Sequence, residues 1–586
     1  MSGLDRRFHY SVPAALAIGT IVRVVLHGRR VRGWVVGAGG QPPPDVEVRP
    51  IVERVSAGPP PAVVALAEWG AWRFAGRLRP LLLAASPERI VRDVPERAPE
   101  VAQPLGGADA TVDGLVAEAL ARRDAVLRLP PASPRLPVVA AVLRQCPGQV
   151  LVLVESRDDA GRLARQLASH GIAPAVLPDD WAGAAAGSRV VVGTRNGVLS
   201  PGEPSAIVLL DAHSGAYRSE RVPTFDARVL AAERASRAGV PVVFVTPCPP
   251  LELLARRAVV TPERSAERRG WGRVAVLDSK AEDPHEGLYP TQLAEMVRRA
   301  TGEPGGRQAV LVLNRRGRAR LLACDVCREV QRCERCGGAL AQRERPEKGS
   351  VGVLECPRCR AERPAICPAC GAARLRILRP GVSRAREELE ALLRLPVGEV
   401  AGPKAPVPAA PVLIGTEAVL HRVGAASIVA FLDFDQELLA PRFRAAEEAL
   451  VMVARAVRLV GDGPGRPSNL PQVLLRTSMP GHEVVQAAQR GDPAVVAEAE
   501  EPRRRLLGLP PERALAVVTG EEAEARLGGG EPLGPGVEVR GVGEGRFVVS
   551  GDDDTVLADG LGRLVEGEPG GWAALGLRVE VDPVDL

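Results

Sequence analysis

Residues 150–156, VLVLVES, decide how this chain folds. The run is short, valine-rich and free of polar residues until its end. That is the character of a strand buried on both faces, not of one alternating between core and water. Similar runs lie on either side: RVVVGT at 189–194, AIVLLDAHS at 206–214 and VPVVFVTPCPP at 240–250. Helical segments separate them, which predicts a parallel sheet with helices on its faces over 108–265. A second set of the same kind spans 271–465 and includes QAVLVLNRRGRARLLA (308–323), PVLIGTEAVL (411–420) and SIVAFLDFDQELL (427–439). The fold class is therefore α/β with two parallel-sheet lobes.

The flanks differ. Residues 8–56 alternate β-type runs such as IVRVVL (21–26) with turns, predicting a small β-rich domain within 1–100, followed by a helical stretch at 62–85. A Pro- and acid-rich linker follows near 93–107. After a Gly/Pro-rich break at 461–471, residues 472–586 read as a small α+β domain with Gly-rich loops.

Composition bounds the rest. Apolar residues make up 46% of 586, ample for several cores, and no run reaches the ~20 apolar residues a membrane span needs. The start, MSGLDRRFHYSVPAAL, lacks the long apolar stretch of a secretory signal, so a reducing cytoplasm is expected. A net charge of +5 is too mild to imply nucleic acid by itself. Lysine occurs only at 280, 348 and 404, so 73 of the 76 basic residues are arginine. With 62 Gly and 54 Pro, this matches the codon bias of a GC-rich genome.

Eight of the ten cysteines form four Cys-x-x-Cys pairs inside the second lobe, in an insertion at 320–375: Cys324/Cys327, Cys333/Cys336, Cys356/Cys359 and Cys367/Cys370. Each pair can give two thiolates to one tetrahedral ion, so eight sulfurs suit two zinc sites. Disulfides belong rather to short secreted chains, and the glycines beside the pairs (Gly337, Gly338, Gly371) favour zinc ribbons over an iron–sulfur cluster. Spacing leaves three ways of pairing the four knuckles open. Cys146 and Cys248 stand alone and are assigned no chemistry.

Several blocks occur in a family order. LNRRGRARLLACDVC (313–327), CERCGGAL, CPRC and CPAC resemble the zinc-binding insertion of the PriA family of primosomal replication-restart helicases. FHYSVPAAL (8–16) resembles its N-terminal 3′-end DNA-binding domain, RVVVGTRNGVLSP (189–201) its first motor lobe, and FRAAEEAL (443–450) and EEPRRRLLGLPPE (500–512) its later segments. The resemblance implies RecA-like lobes and nested zinc ligation: Cys324, Cys327, Cys367 and Cys370 on one ion, and Cys333, Cys336, Cys356 and Cys359 on the other. It also implies partners, namely forks, single strands and 3′ ends of DNA, other primosome proteins, the helicase-loading machinery and single-stranded DNA-binding protein. No membrane partner is expected, and the protein is expected in the cytoplasm at the nucleoid.

The motor motifs depart from the family. Its phosphate loop needs glycines, a lysine and a hydroxyl. The matching stretch is Leu129-Pro130-Pro131-Ala132-Ser133-Pro134-Arg135-Leu136, and residues 1–279 contain no lysine. Prolines donate no N–H, and a guanidinium is a poor substitute for a compact ammonium. The Asp-Glu-x-His motif is reduced to Asp211-Ala212-His213, expected to cap a strand end. In the third motif, Met452 to Arg458, glutamine and glycines are gone, and Arg455 and Arg458 survive. ATP is therefore not an expected cofactor, and no catalytic or cofactor-binding residue is assigned. Too little chain separates the linker from residue 129 for the family's winged helix.

Candidate DNA-facing arginines are Arg29, Arg30 and Arg32, and Arg315, Arg316, Arg318 and Arg320; Tyr10 and Trp34 are candidate stacking surfaces, with core packing the better reading for Trp34. The expected function is a replication-restart protein that binds forked or single-stranded DNA and helps assemble the primosome without unwinding. The alternatives are an active 3′–5′ helicase with non-standard ATP contacts and a zinc-ribbon scaffold without a DNA role.

Overall fold

The run at 150–156 forms a strand, Gln149–Leu153, with every residue buried. It ends where Ser156 caps the helix Arg157–Ala168, its Oγ accepting from Asp159 N at 3.1 Å. This computed structural model describes the chain apart from residues 1–6, 13–14, 40–47, 97–108, 284–286, 303–306, 314–321, 339, 343–351, 357–358, 378–381, 401, 403–405, 462–470, 530–532, 544, 567, 569–571, 573–574 and 585–586. Two compact units result. One comprises Met1–Arg128, Pro134–Pro262 and Arg503–Pro583; the other Leu129–Ser133, Glu263–Pro502 and Val584–Leu586.

The first unit is built on a seven-stranded sheet in the order Ala258–Val260, Asp124–Arg128, Val242–Thr246, Pro204–Leu210, Gln149–Leu153, Val190–Gly193 and Ala175–Val176. Every pairing is parallel. Parallel order puts the strands' carboxyl ends on one edge, where α/β proteins gather their functional loops.

Two smaller elements join this unit. The N-terminal sheet is antiparallel, in the order Arg29–Trp34, Ile21–Leu26, Glu53–Ser56. The helices Pro61–Arg73 and Leu78–Ala85 share one apolar core with the seven-stranded sheet and the C-terminal domain. That C-terminal domain is a four-stranded antiparallel sheet. Arg73, 3% exposed, ties the junction through ion pairs to Asp554 at 2.6 Å and Asp582 at 3.1 Å.

The second unit carries a six-stranded parallel sheet: Val274–Asp278, Val473–Thr477, Ala426–Phe431, Gln308–Val312, Val412–Gly415, Val397–Val400. This corrects the expected boundary. The lobe does not end at 465, because Val473–Thr477 inserts between Val274–Asp278 and Ala426–Phe431. The C-terminal portion of the first unit begins at Arg503. A Gly/Pro-rich break reads in sequence as a linker, but here it precedes another strand of the same sheet.

Candidate functional sites

The cysteine insertion is built from one turn used four times. In each pair the first cysteine's carbonyl accepts from the N–H four residues on: Arg328, Gly337, Arg360 and Gly371, at 2.8–3.0 Å. The same cysteine's N–H donates to the carbonyl five residues on. Closing so tight a turn requires a left-handed residue at the fourth place, and φ there is 63°, 70°, 58° and 73° respectively. Glycine adopts this freely; arginine does so at a cost of about 1 kcal/mol.

Strand pairing decides which turns meet. Leu322–Cys324 runs antiparallel to Leu375–Ile377, with Cys324 opposite Leu375, bringing the first and last knuckles together. Val353–Glu355 pairs with both Ala341–Gln342 and Glu362–Pro364, bringing the second to the third. The thiols accordingly gather as Cys324, Cys327, Cys367 and Cys370, and as Cys333, Cys336, Cys356 and Cys359, all sulfurs of a group lying within 4.8 Å of one another. This is the nested grouping.

The donor set fits a tetrahedral ion. Cross-knuckle Sγ···Sγ distances are 3.4 and 3.5 Å in both groups, near the roughly 3.8 Å edge that four sulfurs at ~2.3 Å from zinc would define. All ten cysteines are free thiols. The backbone N–H of Cys327 lowers the Cys324 thiol to about 6 against the opposing cost of burial, and the N–H of Val326 adds to the fall. Gln331, fully buried and missed in the sequence, is the outer support. Its Nε2 donates to Glu329 O at 2.7 Å and to Cys367 Sγ at 3.7 Å, while Oε1 accepts from Arg363.

At the carboxyl edge of the first unit's sheet, Arg135 and Asp211 meet. Nη2 lies 2.5 Å from Oδ1 and Nε 3.4 Å from Oδ2, with side chains 15% and 11% exposed. Asp211 directly follows the strand Pro204–Leu210 and has a φ of 55°. His213 Nδ1 lies 2.9 Å from Thr246 Oγ1 at the end of the neighbouring strand. Ala212 is wholly buried. In the second unit, Ala132 N donates to Gly270 O, and Arg458 Nε donates to Pro131 O at 3.1 Å. Arg455 Nε donates to Leu420 O.

The N-terminal sheet presents Arg29, Arg30 and Arg32, all exposed, on Arg29–Trp34. Strand alternation places Arg30 and Arg32 on the same side as Trp34. Trp34 packs on the apolar core and donates Nε1–H to Ser86 Oγ at 2.9 Å, so it serves the core. Tyr10 is half-buried, its hydroxyl donating to Val25 O. Arg315, Arg316, Arg318 and Arg320 lie outside the described residues.

One polar cluster escaped the sequence reading. Asp435, 5% exposed, accepts from Ser478 N, Ser478 Oγ and Thr477 Oγ1. Two residues earlier, burial raises the Asp433 carboxyl to about 6 against a hydrogen bond from Gln436, with the charge of Asp435 adding to the rise. Three acids in the apolar run LDFDQELL were the available signal.

Residues 1–87 match the family model of the PriA 3′ DNA-binding domain. The replication restart protein PriA of Bacillus subtilis is 26% identical over 357 residues, 56% of this chain and 43% of that protein. The probable replication restart protein PriA of Mycobacterium leprae is 29% identical over 585 residues, 88% of this chain and 86% of that protein. The match thus spans less than half of the Bacillus relative and most of the mycobacterial one. Among solved structures, yeast Dbp5 bound to RNA and ADP BeF3 aligns over 67% of this chain and 93% of that one, at 10% identity and a TM-score of 0.33.

Proposed function

Because this chain is a member of the PriA replication restart family, we propose that it binds forked or single-stranded DNA and helps assemble the primosome without unwinding duplex. The match of residues 1–87 to a 3′ DNA-binding domain supports the DNA role, and exposed Arg29, Arg30 and Arg32 supply charge for phosphates.

The observation that carries the non-translocating part is the Arg135–Asp211 pair. In a working phosphate loop the cation meets the nucleotide's phosphates and the acid serves its metal ion. Here the two neutralise each other, and Pro130, Pro131 and Pro134 contribute no N–H to a phosphate cradle. The lobes then serve as a scaffold for DNA and partners.

Both thiol groups hold zinc in this reading, as structural four-sulfur sites that close the insertion. Bound zinc supplies folding energy there and no reactive position. Other primosome proteins, helicase-loading factors and single-stranded DNA-binding protein are the proposed partners, in the cytoplasm at the nucleoid. Among the described residues no helix is long and apolar enough to cross a membrane.

A DNA-stimulated ATPase assay with forked substrate tests the proposal. No hydrolysis above background is expected, and robust turnover abolished by Asp211→Ala would overturn it. Fork binding by fluorescence anisotropy tests the DNA role.

A further inference from the structure

The second unit carries a groove of about 640 Å³ whose lining includes Arg264, Arg268, Arg269 and Arg273, with no carboxylate among the described lining residues. Arginine makes up 73 of 586 residues, so composition alone would put about one in eight lining positions. Four is a concentration that codon bias does not explain. It also has a local cost, since like charges at i and i+4, as in Arg264 and Arg268, oppose a helix.

The groove is built on a pinned turn. The helix Arg264–Gly270 ends at Trp271, which is 1% exposed. Gly272 then reverses the chain at φ 65°, and a Cβ there would stand 1.2 Å from Gln472 Oε1. That oxygen accepts from Arg273 N at 2.9 Å, which fixes Arg273 opposite the helix. Arg264 donates to the carbonyls of Gly491 and Arg490 at 2.8 and 2.7 Å, anchoring the far wall. Arg268 and Arg269 are exposed, and their side chains have no hydrogen bond or ion pair among the described residues.

We propose that this groove is a second nucleic-acid contact, gripping the phosphodiester backbone of a single strand through Arg268, Arg269 and Arg273. The inference rests on the DNA-binding reading above and extends it to a unit other than the one matching the 3′ DNA-binding domain. Guanidinium forks match phosphate oxygens, and backbone binding needs only charge. A folded protein partner would need a buried apolar or aromatic anchor, whereas Val274 is the only large apolar side chain in the lining.

The test is binding of a forked oligonucleotide with single-stranded arms by the full chain, measured by anisotropy over a range of salt. The variant Arg268→Ala/Arg269→Ala/Arg273→Ala is expected to lose about tenfold in affinity and to flatten the slope of log K on log salt by about 2. The corresponding triple Lys variant retains most of both. Should the triple Ala variant unfold, Arg268→Glu alone, at an exposed position, is expected to weaken binding at low salt. Wild-type affinity and slope in a folded variant overturn the inference. So does loss of poly-glutamate binding with DNA binding intact, which would make the groove an acidic-peptide site. Failure of the wild-type chain to bind the fork overturns the DNA-binding reading itself.

Discussion

Arg135 and Asp211, 76 residues apart, form a two-point ion pair with a shortest N···O distance of 2.5 Å at the carboxyl edge of the first unit's sheet. Both side chains are largely buried, so removing one leaves a desolvated charge. Asp211→Asn retains shape and tolerates the positive φ, and it is expected to cost about 2 kcal/mol of stability in urea unfolding. Combining it with Arg135→Met should cost less than the two single changes summed. Additive losses would show that the pair is not coupled.

Metal content tests the thiol grouping. Cys324→Ser/Cys370→Ser removes ligands from one group only, so bound zinc is expected to fall from two equivalents to one. Cys324→Ser/Cys333→Ser touches both groups and should lower retention of both ions under a competing chelator. The reverse pattern would mean a different pairing.

The left-handed residues of the knuckles give a conformational prediction. A Cβ at Gly337 or Gly371 would meet nothing within 4 Å, so alanine there adds no clash, only the cost of its φ. Each Gly→Ala change is expected to destabilise the zinc-loaded insertion by about 1 kcal/mol, read as a lower thermal midpoint of metal release.

Asp433 makes stability pH-dependent. Its carboxyl is raised to about 6 in the fold, whereas in the unfolded chain it titrates near the usual aspartate value. Between roughly pH 4 and 6 the folded state therefore holds the extra proton, and this group's contribution is lost as pH rises through about 6. Asp433→Asn is expected to flatten that decline and to stabilise the second unit at pH 7, on the order of 2 kcal/mol. A variant with the wild-type pH profile would count against it.

Replacing Arg29, Arg30 and Arg32 together by Ala should weaken fork binding at low salt and reduce the salt slope by about 2, leaving the unfolding free energy within ~0.5 kcal/mol because all three side chains are exposed. An unchanged slope would remove this strand from the DNA surface.

Much of the fold was legible. Buried parallel strands appear as unbroken apolar runs, so Gln149–Leu153, Val242–Thr246 and Ala426–Phe431 announce themselves. The strand Val473–Thr477 reads in sequence as part of a terminal domain because its partners, Val274–Asp278 and Ala426–Phe431, are remote in sequence. Trp34 read as a core residue from its flanking valines, and it packs there. Asp435 is not legible because an acid inside an apolar run shows its significance only with its partners, and Thr477 and Ser478 lie more than 40 residues away.

The α/β class and the eight thiols in four knuckles are legible in the amino-acid order alone. Both are local properties, set by apolar periodicity and by a spacing that lets two sulfurs share an ion. Which knuckles meet, open by spacing and implied only by family resemblance, and that Arg135 meets Asp211, are seen in the folded chain. Those contacts depend on Leu322–Cys324 finding Leu375–Ile377 and on strands aligned at one edge, and no local spacing carries such long-range pairing.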